Sequence, residues 1–202
     1  YPKKRKEKHM SFANTEIWES DFLVIGTGIA GLSYAIRVAE YGTVNIITKK
    51  DDSESNTNHA QGGIAAVMNP VDDISSHIQD TATAGGGICK PKSIEFLAEH
   101  GPAQIQQLMD WGAQFTKDPS GKLELGREGG HSNNRIVHMR DFTGKEVERA
   151  LLETAKSMPQ INFYTNHYAV DLITQHQAEL GNFLREYYEG RIATFGDYVF
   201  DI

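Results

Sequence analysis

The sequence predicts an α/β fold with a parallel sheet, on three observations. A short apolar run bounded by glycine, Asp21-Phe-Leu-Val-Ile-Gly26, reads as a buried parallel strand. It runs directly into Gly26-Thr27-Gly28-Ile29-Ala30-Gly31, which fits G-x-G-x-x-G and opens a helical stretch. A second strand over Val44–Thr48 closes a βαβ unit, the nucleus of a doubly wound, Rossmann-like sheet.

The first helix, Ile29–Tyr41, places Ile29, Leu32, Ile36 and Ala39 on one stripe, and Gly42 reads as its C-terminal stop. Lys49–Asn58 is polar and loop-like and leads into the glycine-rich Ala60–Ala66. Asp72–Ala84 and Pro91–Trp111 read as helices separated by Gly85-Gly86-Gly87, with Gly101-Pro102 interrupting the second. Phe115–Arg140 is expected to be loop with short strands. Thr143-Gly-Lys-Glu146 has the form of a capping box, and Val147, Ala150, Leu151 and Thr154 share a face of the helix it opens. Strands are expected over Ile161–Tyr164 and His167–Ile173, and over Thr194–Ile202, giving a small β-meander near the C-terminus. Gln175–Gly190 fits either a helix or a long insertion.

Composition narrows the function. The chain has 202 residues, with 20 Lys and Arg against 27 Asp and Glu and a net charge of -7, so it lacks the basic face of a general nucleic-acid binder. Residues 1–20 form a leader in which Lys3, Lys4, Arg5, Lys6 and Lys8 are clustered. It reads as an unstructured extension ahead of a start at Met10, with a nuclear-import or nucleic-acid tail as the alternative. Residues 21–202 form the folded part. The longest near-apolar run, Phe22–Leu32, is too short to span a bilayer and holds three glycines. The single cysteine, Cys89, makes no internal disulfide or zinc cluster and reads as a small buried hydrophobe; the composition fits a reducing compartment, the cytoplasm.

The chemistry lies in the glycines, 19 of 202 residues against roughly 7% in average proteins. In Gly26–Gly31 the first glycine permits the tight turn, the second admits a pyrophosphate to the backbone, and the third packs helix on strand. The helix N-terminus offers N–H groups and a partial positive charge to phosphates. A carboxylate normally follows at the end of the second strand to bind a ribose hydroxyl. Thr48, Lys49 and Lys50 stand there instead, which disfavours an ordinary NAD enzyme. In Asn56-Thr57-Asn58-His59-Ala60-Gln61-Gly62-Gly63-Ile64-Ala65, paired glycines let backbone lie flat against a planar ligand. A plain turn is an equal reading on composition alone.

These stretches, with Gly87-Ile-Cys89, Arg127-Glu-Gly-Gly-His-Ser132, Asp141-Phe-Thr-Gly144 and Ala169-Val-Asp-Leu172, resemble the flavoprotein subunits of the succinate dehydrogenase and fumarate reductase superfamily. The resemblance runs from about Asp21 to Thr174 and is strongest to the branch that oxidises L-aspartate. It implies an FAD-binding domain contacted by Gly26, Thr27, Gly28, Ile29, Ala30 and Gly31. It adds Lys49 and the stretch Asn56, Thr57, Asn58, His59, Ala60, Gln61, Gly62 and Gly63, with Tyr168 and Ala169 meeting the adenine. Respiratory members attach FAD through a histidine just before the threonine of this segment. Asn56 occupies that position here, so the resemblance implies non-covalent FAD and no metal.

The resemblance also assigns Glu128 beside the substrate, where respiratory members lack the carboxylate; a negative charge there suits the α-ammonium of aspartate. Without the family, Glu128 reads as an exposed loop residue. The implied substrates are L-aspartate or fumarate, and the implied reaction feeds the next enzyme of quinolinate synthesis, with neither nucleic acid nor membrane as partner. A fumarate reductase-type fragment and a non-catalytic FAD-binding fragment are the alternatives. His131, Arg135 and His138 suggest anion or proton-transfer groups, although loop histidines are more often simply hydrogen-bonded. The resemblance implies an N-terminal portion of a longer protein, because the capping domain with the substrate arginines lies beyond its reach.

Overall fold

A computed structural model describes residues 18–174 and 176–177. In chain order the elements are β1 (Phe22–Ile25), α1 (Ile29–Val38), β2 (Val44–Thr48), β3 (Ile64–Ala65), α2 (Ile74–Ala84), α3 (Pro91–Asp110), β4 (Leu125–Gly126), β5 (Ile136–Val137), α4 (Thr143–Ser157) and β6 (Ile161–Thr165). The chain divides into a unit ending at Asn166 and a second beginning at His167.

The first unit holds a parallel sheet in the order β1-β2-β6, with Val24 opposite Ile46 and Val44 opposite Ile161. Its β2 is buried at Val44, Asn45, Ile46 and Thr48, as a central strand between two neighbours requires. Helices α1 and α4 supply Leu32, Ala35 and Ile36, and Val147, Ala150, Leu151 and Ala155, to one core with Val44, Ile46 and Ile161. In a small antiparallel sheet, β3-β5-β4, the strands β4 and β5 are the short ones expected between residues 115 and 140, with Ile64 opposite Val137 and Gly126 opposite Ile136. The α/β class and the βαβ opening are as the sequence predicts.

Four local expectations are corrected. Helix α3 runs unbroken through Gly101-Pro102. Ile94, Ala98, Ile105 and Leu108 stay buried across the pair, so tertiary burial offsets the hydrogen bond that proline forfeits. Gly42 is not an αL stop: α1 ends at Ala39 in right-handed geometry, and a Cβ on Gly42 would stand 2.5 Å from Asp21 Oδ2. That carboxylate accepts from Thr43 N at 2.7 Å and Thr43 Oγ1 at 2.8 Å, which holds its pKa below the usual carboxylate value. The capping box does not form. Gly144 N donates instead to Ala60 O at 2.9 Å, Thr143 Oγ1 accepts from Met139 N at 3.0 Å, and Glu146 accepts from Gln114 N at 2.8 Å. Tertiary partners have taken the groups that a local cap would use. Cys89 is exposed rather than buried.

In the second unit, among the described residues, His167–Ile173 carries no strand and its side chains are exposed. The expected elements at Gln175–Gly190 and Thr194–Ile202 lie outside the described residues, apart from the helical pair 176–177. Among the described residues no helix is long and apolar enough to cross a membrane.

Candidate cofactor site

The turn between β1 and α1 is built by its glycines. Gly26 adopts φ +98°, open to glycine at little cost, and its N–H donates to Ile47 O at 2.8 Å, which anchors the turn to β2. Gly28 caps α1 in extended geometry without a side chain. A Cβ on Gly31 would collide with the carbonyl oxygen of Gly26 and stand 3.2 Å from Val24 Cγ1, so the third glycine sets the close packing of helix on strand. Thr27 is buried, and its Oγ1 has no hydrogen-bond partner.

A second loop meets this turn. Ile29 N, at the start of α1, donates to Thr57 Oγ1 at 3.0 Å, and the same oxygen lies 3.4 Å from where a Gly28 Cβ would stand. The loop is held from within: Asn58 Nδ2 donates to Ser53 O at 2.8 Å, and His59 Nε2 stands 3.2 Å from Glu54 Oε1. Of the paired glycines, Gly62 has open space where a Cβ would project, whereas a Cβ on Gly63 would collide with Ile136 of β5. One glycine serves packing and the other leaves backbone open.

The structure thus joins Gly26–Gly31 to Thr57 and the loop around it. Asn56, His59, Ala60 and Gln61 of that loop are exposed, and so is Lys49, which follows β2. Tyr168 and Ala169 belong to the second unit and are exposed there. Glu128 is exposed on the loop after β4, where its carbonyl accepts from His131 N at 3.2 Å and Arg127 Nε donates to His131 O at 2.8 Å.

That loop is tied down by a buried cluster that sequence patterning alone leaves inconspicuous. Arg135 is fully buried, with Nε 3.0 Å from Asp72 Oδ2, Nη2 2.8 Å from Asp72 Oδ1 and Nη1 2.9 Å from Asp80 Oδ2. Asp80 also accepts from Ser132 N and Ser132 Oγ, both at 2.7 Å; these bonds, more than the guanidinium, hold its pKa low. Burial lowers the pKa of the adjacent His77 and favours the neutral ring, with the Arg135 charge acting the same way. The available signal was the spacing of Ser76, His77 and Asp80 along one side of α2, with Asp72 just ahead of its N-cap.

Ile29 and the stretch Gly129–His131 line one cavity of about 850 Å³, walled by Ile94, Leu97 and Ile105 of α3. Its polar residues include His77, Asp80 and His131, and His131 Nδ1 is buried with no partner. The cavity therefore connects the start of the cofactor helix to the loop bearing Glu128.

The geometry fits a dinucleotide: a glycine turn open at Gly28 and closely packed at Gly31, a helix N-terminus beside Thr57, and an orphaned hydroxyl at Thr27. Residues 21–198 match the FAD binding domain family. The chain belongs to this family. Its similar relatives include L-aspartate oxidase 2-b, chloroplastic, of Nicotiana tabacum, 50% identical over 76% of the chain and 24% of that protein. L-aspartate oxidase of Vibrio cholerae is 45% identical over 78% of the chain and 30% of its own length. Among solved structures, a variant of E. coli quinol fumarate reductase FrdA superposes with a TM-score of 0.75 at 29% identity, covering 79% of this chain and 28% of that one. A flavocytochrome c3 fumarate reductase gives 0.66 at 26% identity, covering 78% and 28%. The chain spans about a quarter to a third of the length of the curated relatives it matches.

FAD is the cofactor of this FAD binding domain. Asn56 offers no nucleophile for a flavin linkage, and the nearby His59 is engaged with Glu54. Acid precipitation of the flavin-loaded protein is therefore expected to release all the flavin into the supernatant. Absorbance of the supernatant and the denatured pellet measures this; yellow colour retained in the pellet would refute it.

Proposed function

We propose that the protein containing this chain is an FAD-dependent L-aspartate oxidase that converts L-aspartate to iminoaspartate, with oxygen or fumarate as the final electron acceptor. In this reading residues 21–202 form the N-terminal part of the FAD-binding domain, and residues 1–20 a leader. The observation that carries it is the shared cavity: Ile29 of the cofactor helix and Gly129–His131, the neighbours of Glu128, line the same space. The names of the tobacco and Vibrio cholerae relatives support the same substrate. The iminoaspartate would pass to the next enzyme of quinolinate synthesis, in a reducing compartment such as the cytoplasm.

FAD, when bound, supplies the two-electron acceptor. The chain's own residues hold it and place the substrate. Gly26–Gly31 and Thr57 present N–H and hydroxyl groups to the pyrophosphate, Gly62 leaves backbone open, and Lys49, Asn58 and Gln61 complete the contacts. Glu128 balances the α-ammonium of aspartate, and the Arg135–Asp80–Ser132 bonds fix the loop that carries it. The fumarate reductase neighbours favour a second reading, reduction of fumarate by the same site.

Glu128→Gln in the full-length polypeptide separates the two readings. Fumarate has no ammonium, so only aspartate should lose by the change. Unpairing a charge desolvated by the substrate costs about 2–5 kcal/mol, and Glu128 is exposed in the described structure, so the lower end applies: a fall of roughly thirtyfold in kcat/KM for aspartate. Fumarate reduction should change by less than about threefold. Equal losses with both substrates would remove Glu128 from ammonium recognition. No loss with either would return it to an ordinary loop residue.

A further inference from the structure

Among the described residues, Asp72 and Glu148 are buried carboxylates, and Asp72 has the Arg135 guanidinium against it. Glu148 is 2% exposed and is paired through a hydroxyl, that of Ser55. Its other oxygen, Oε1, is buried with no partner. A carboxylate taken out of water and left half-satisfied is costly, and α4 places this one beside Val147, Leu151 and Leu152. Burial raises its pKa above the ordinary value, against the lowering effects of the Ser55 hydroxyl and, after it, of the Asn58 backbone N–H.

The Ser55 hydroxyl is fully committed. Its proton goes to Glu148, and its oxygen accepts from Thr57 N at 3.1 Å and Asn58 N at 3.3 Å. One donor and two acceptor sites are all that a serine hydroxyl has. With its proton fixed on Glu148, the lone pairs stay directed at the two N–H groups. Thr57 in turn offers Oγ1 to Ile29 N at the start of α1. One turn earlier on α4, Gly144 N grips Ala60 O at 2.9 Å, and a Cβ at Gly144 would collide with Thr57 O. Both ends of the loop are therefore referenced to α4.

We propose that Glu148 is a positioning residue for FAD: through the Ser55 hydroxyl it fixes the 55–58 loop, so that Thr57 is presented at the N-terminus of α1 where the pyrophosphate binds. This rests on FAD as the cofactor and is independent of the aspartate reading. Without an acceptor at position 148 the Ser55 proton is released, the hydroxyl turns, and Thr57 loses its fixed relation to Ile29. Glutamine keeps an acceptor oxygen at the same place and preserves the arrangement.

The test titrates the full-length polypeptide, stripped of flavin, with FAD and follows quenching of flavin fluorescence. Glu148→Ala and Ser55→Ala are each expected to raise Kd by about tenfold, the scale of one buried hydrogen bond to a charged group. The double variant should bind no more weakly than either single one, because both remove the same link. Glu148→Gln should stay within about threefold of the unsubstituted protein. Ser55→Ala leaves α4 intact and carries the test if Glu148→Ala does not fold. A purely structural Glu148 would lower the thermal midpoint of its own variants and leave the Kd of Ser55→Ala unchanged. That result, or losses that multiply in the double variant, would overturn the proposal. An unsubstituted polypeptide that fails to bind FAD would overturn it together with the cofactor, whatever the substrate proves to be.

Discussion

Arg135→Met is expected to destabilise the protein by about 3–5 kcal/mol, the cost of leaving a buried charge without its partner. The guanidinium forms a fork on Asp72 and a separate bond to Asp80, and no water reaches it. Methionine fills much of the volume but satisfies neither carboxylate. Asp72 would retain only Asn133 Nδ2, at 2.7 Å, and Asp73 N, at 2.9 Å. Arg135→Lys should recover less than half of the loss, because one ammonium cannot reproduce the planar fork. Urea unfolding of the full-length polypeptide at neutral pH measures both. A loss below about 1 kcal/mol for methionine would mean that the carboxylates had found other partners or had been protonated.

Gly28→Val and Gly31→Val should separate cofactor binding from folding. At position 28 the nearest atom to an added Cβ is Thr57 Oγ1 at 3.4 Å, an ordinary contact, so the chain should fold. The valine methyl groups then occupy space needed by a pyrophosphate, and FAD affinity should fall by about a hundredfold or more, near 3 kcal/mol. At position 31 the obstacle is the Gly26 backbone itself. Relief requires α1 to move away from β1, and the expected cost is about 3 kcal/mol of stability together with loss of FAD. Thermal unfolding and flavin fluorescence, measured on both variants, distinguish the outcomes. Normal FAD affinity in a folded Gly28→Val protein would remove the dinucleotide assignment from this turn.

The parts legible in the sequence are those whose determinants are local. The β1–α1–β2 unit declares itself through an apolar run, three glycines and a helical stripe, and all of those residues are close in sequence. The same holds for α2, where Asp73 accepts from Ser76 N at 2.8 Å as an N-cap. Local rules failed where distant groups intervened. Gly144 was drawn to Ala60 and Glu146 to Gln114, so the capping box was overridden. Gly42 resembled a helix stop but exists to admit Asp21. Pro102 should have broken α3, yet the buried face on either side holds it together. The site followed the same division. The glycine turn was readable, whereas the Arg135 cluster and the Glu148–Ser55 link join residues that only the fold brings together.

The register of the parallel sheet sets a timetable for biosynthesis. Asn45 and Asn162 pair across β2 and β6 although 117 positions separate them. At ribosomal speeds of about 5–20 residues per second, roughly 6 to 23 seconds pass between the emergence of the two strands. Throughout that interval β2 has β1 on one side and nothing on the other, and its Val44 and Ile46 have no roof from α4. A nascent chain in that state offers an apolar strand with one unpaired edge, the form most readily captured by a neighbouring chain. β2 gains its second neighbour only when β6 arrives, so holding factors at the ribosome, or slower initiation that keeps nascent chains apart, should raise the yield of folded protein.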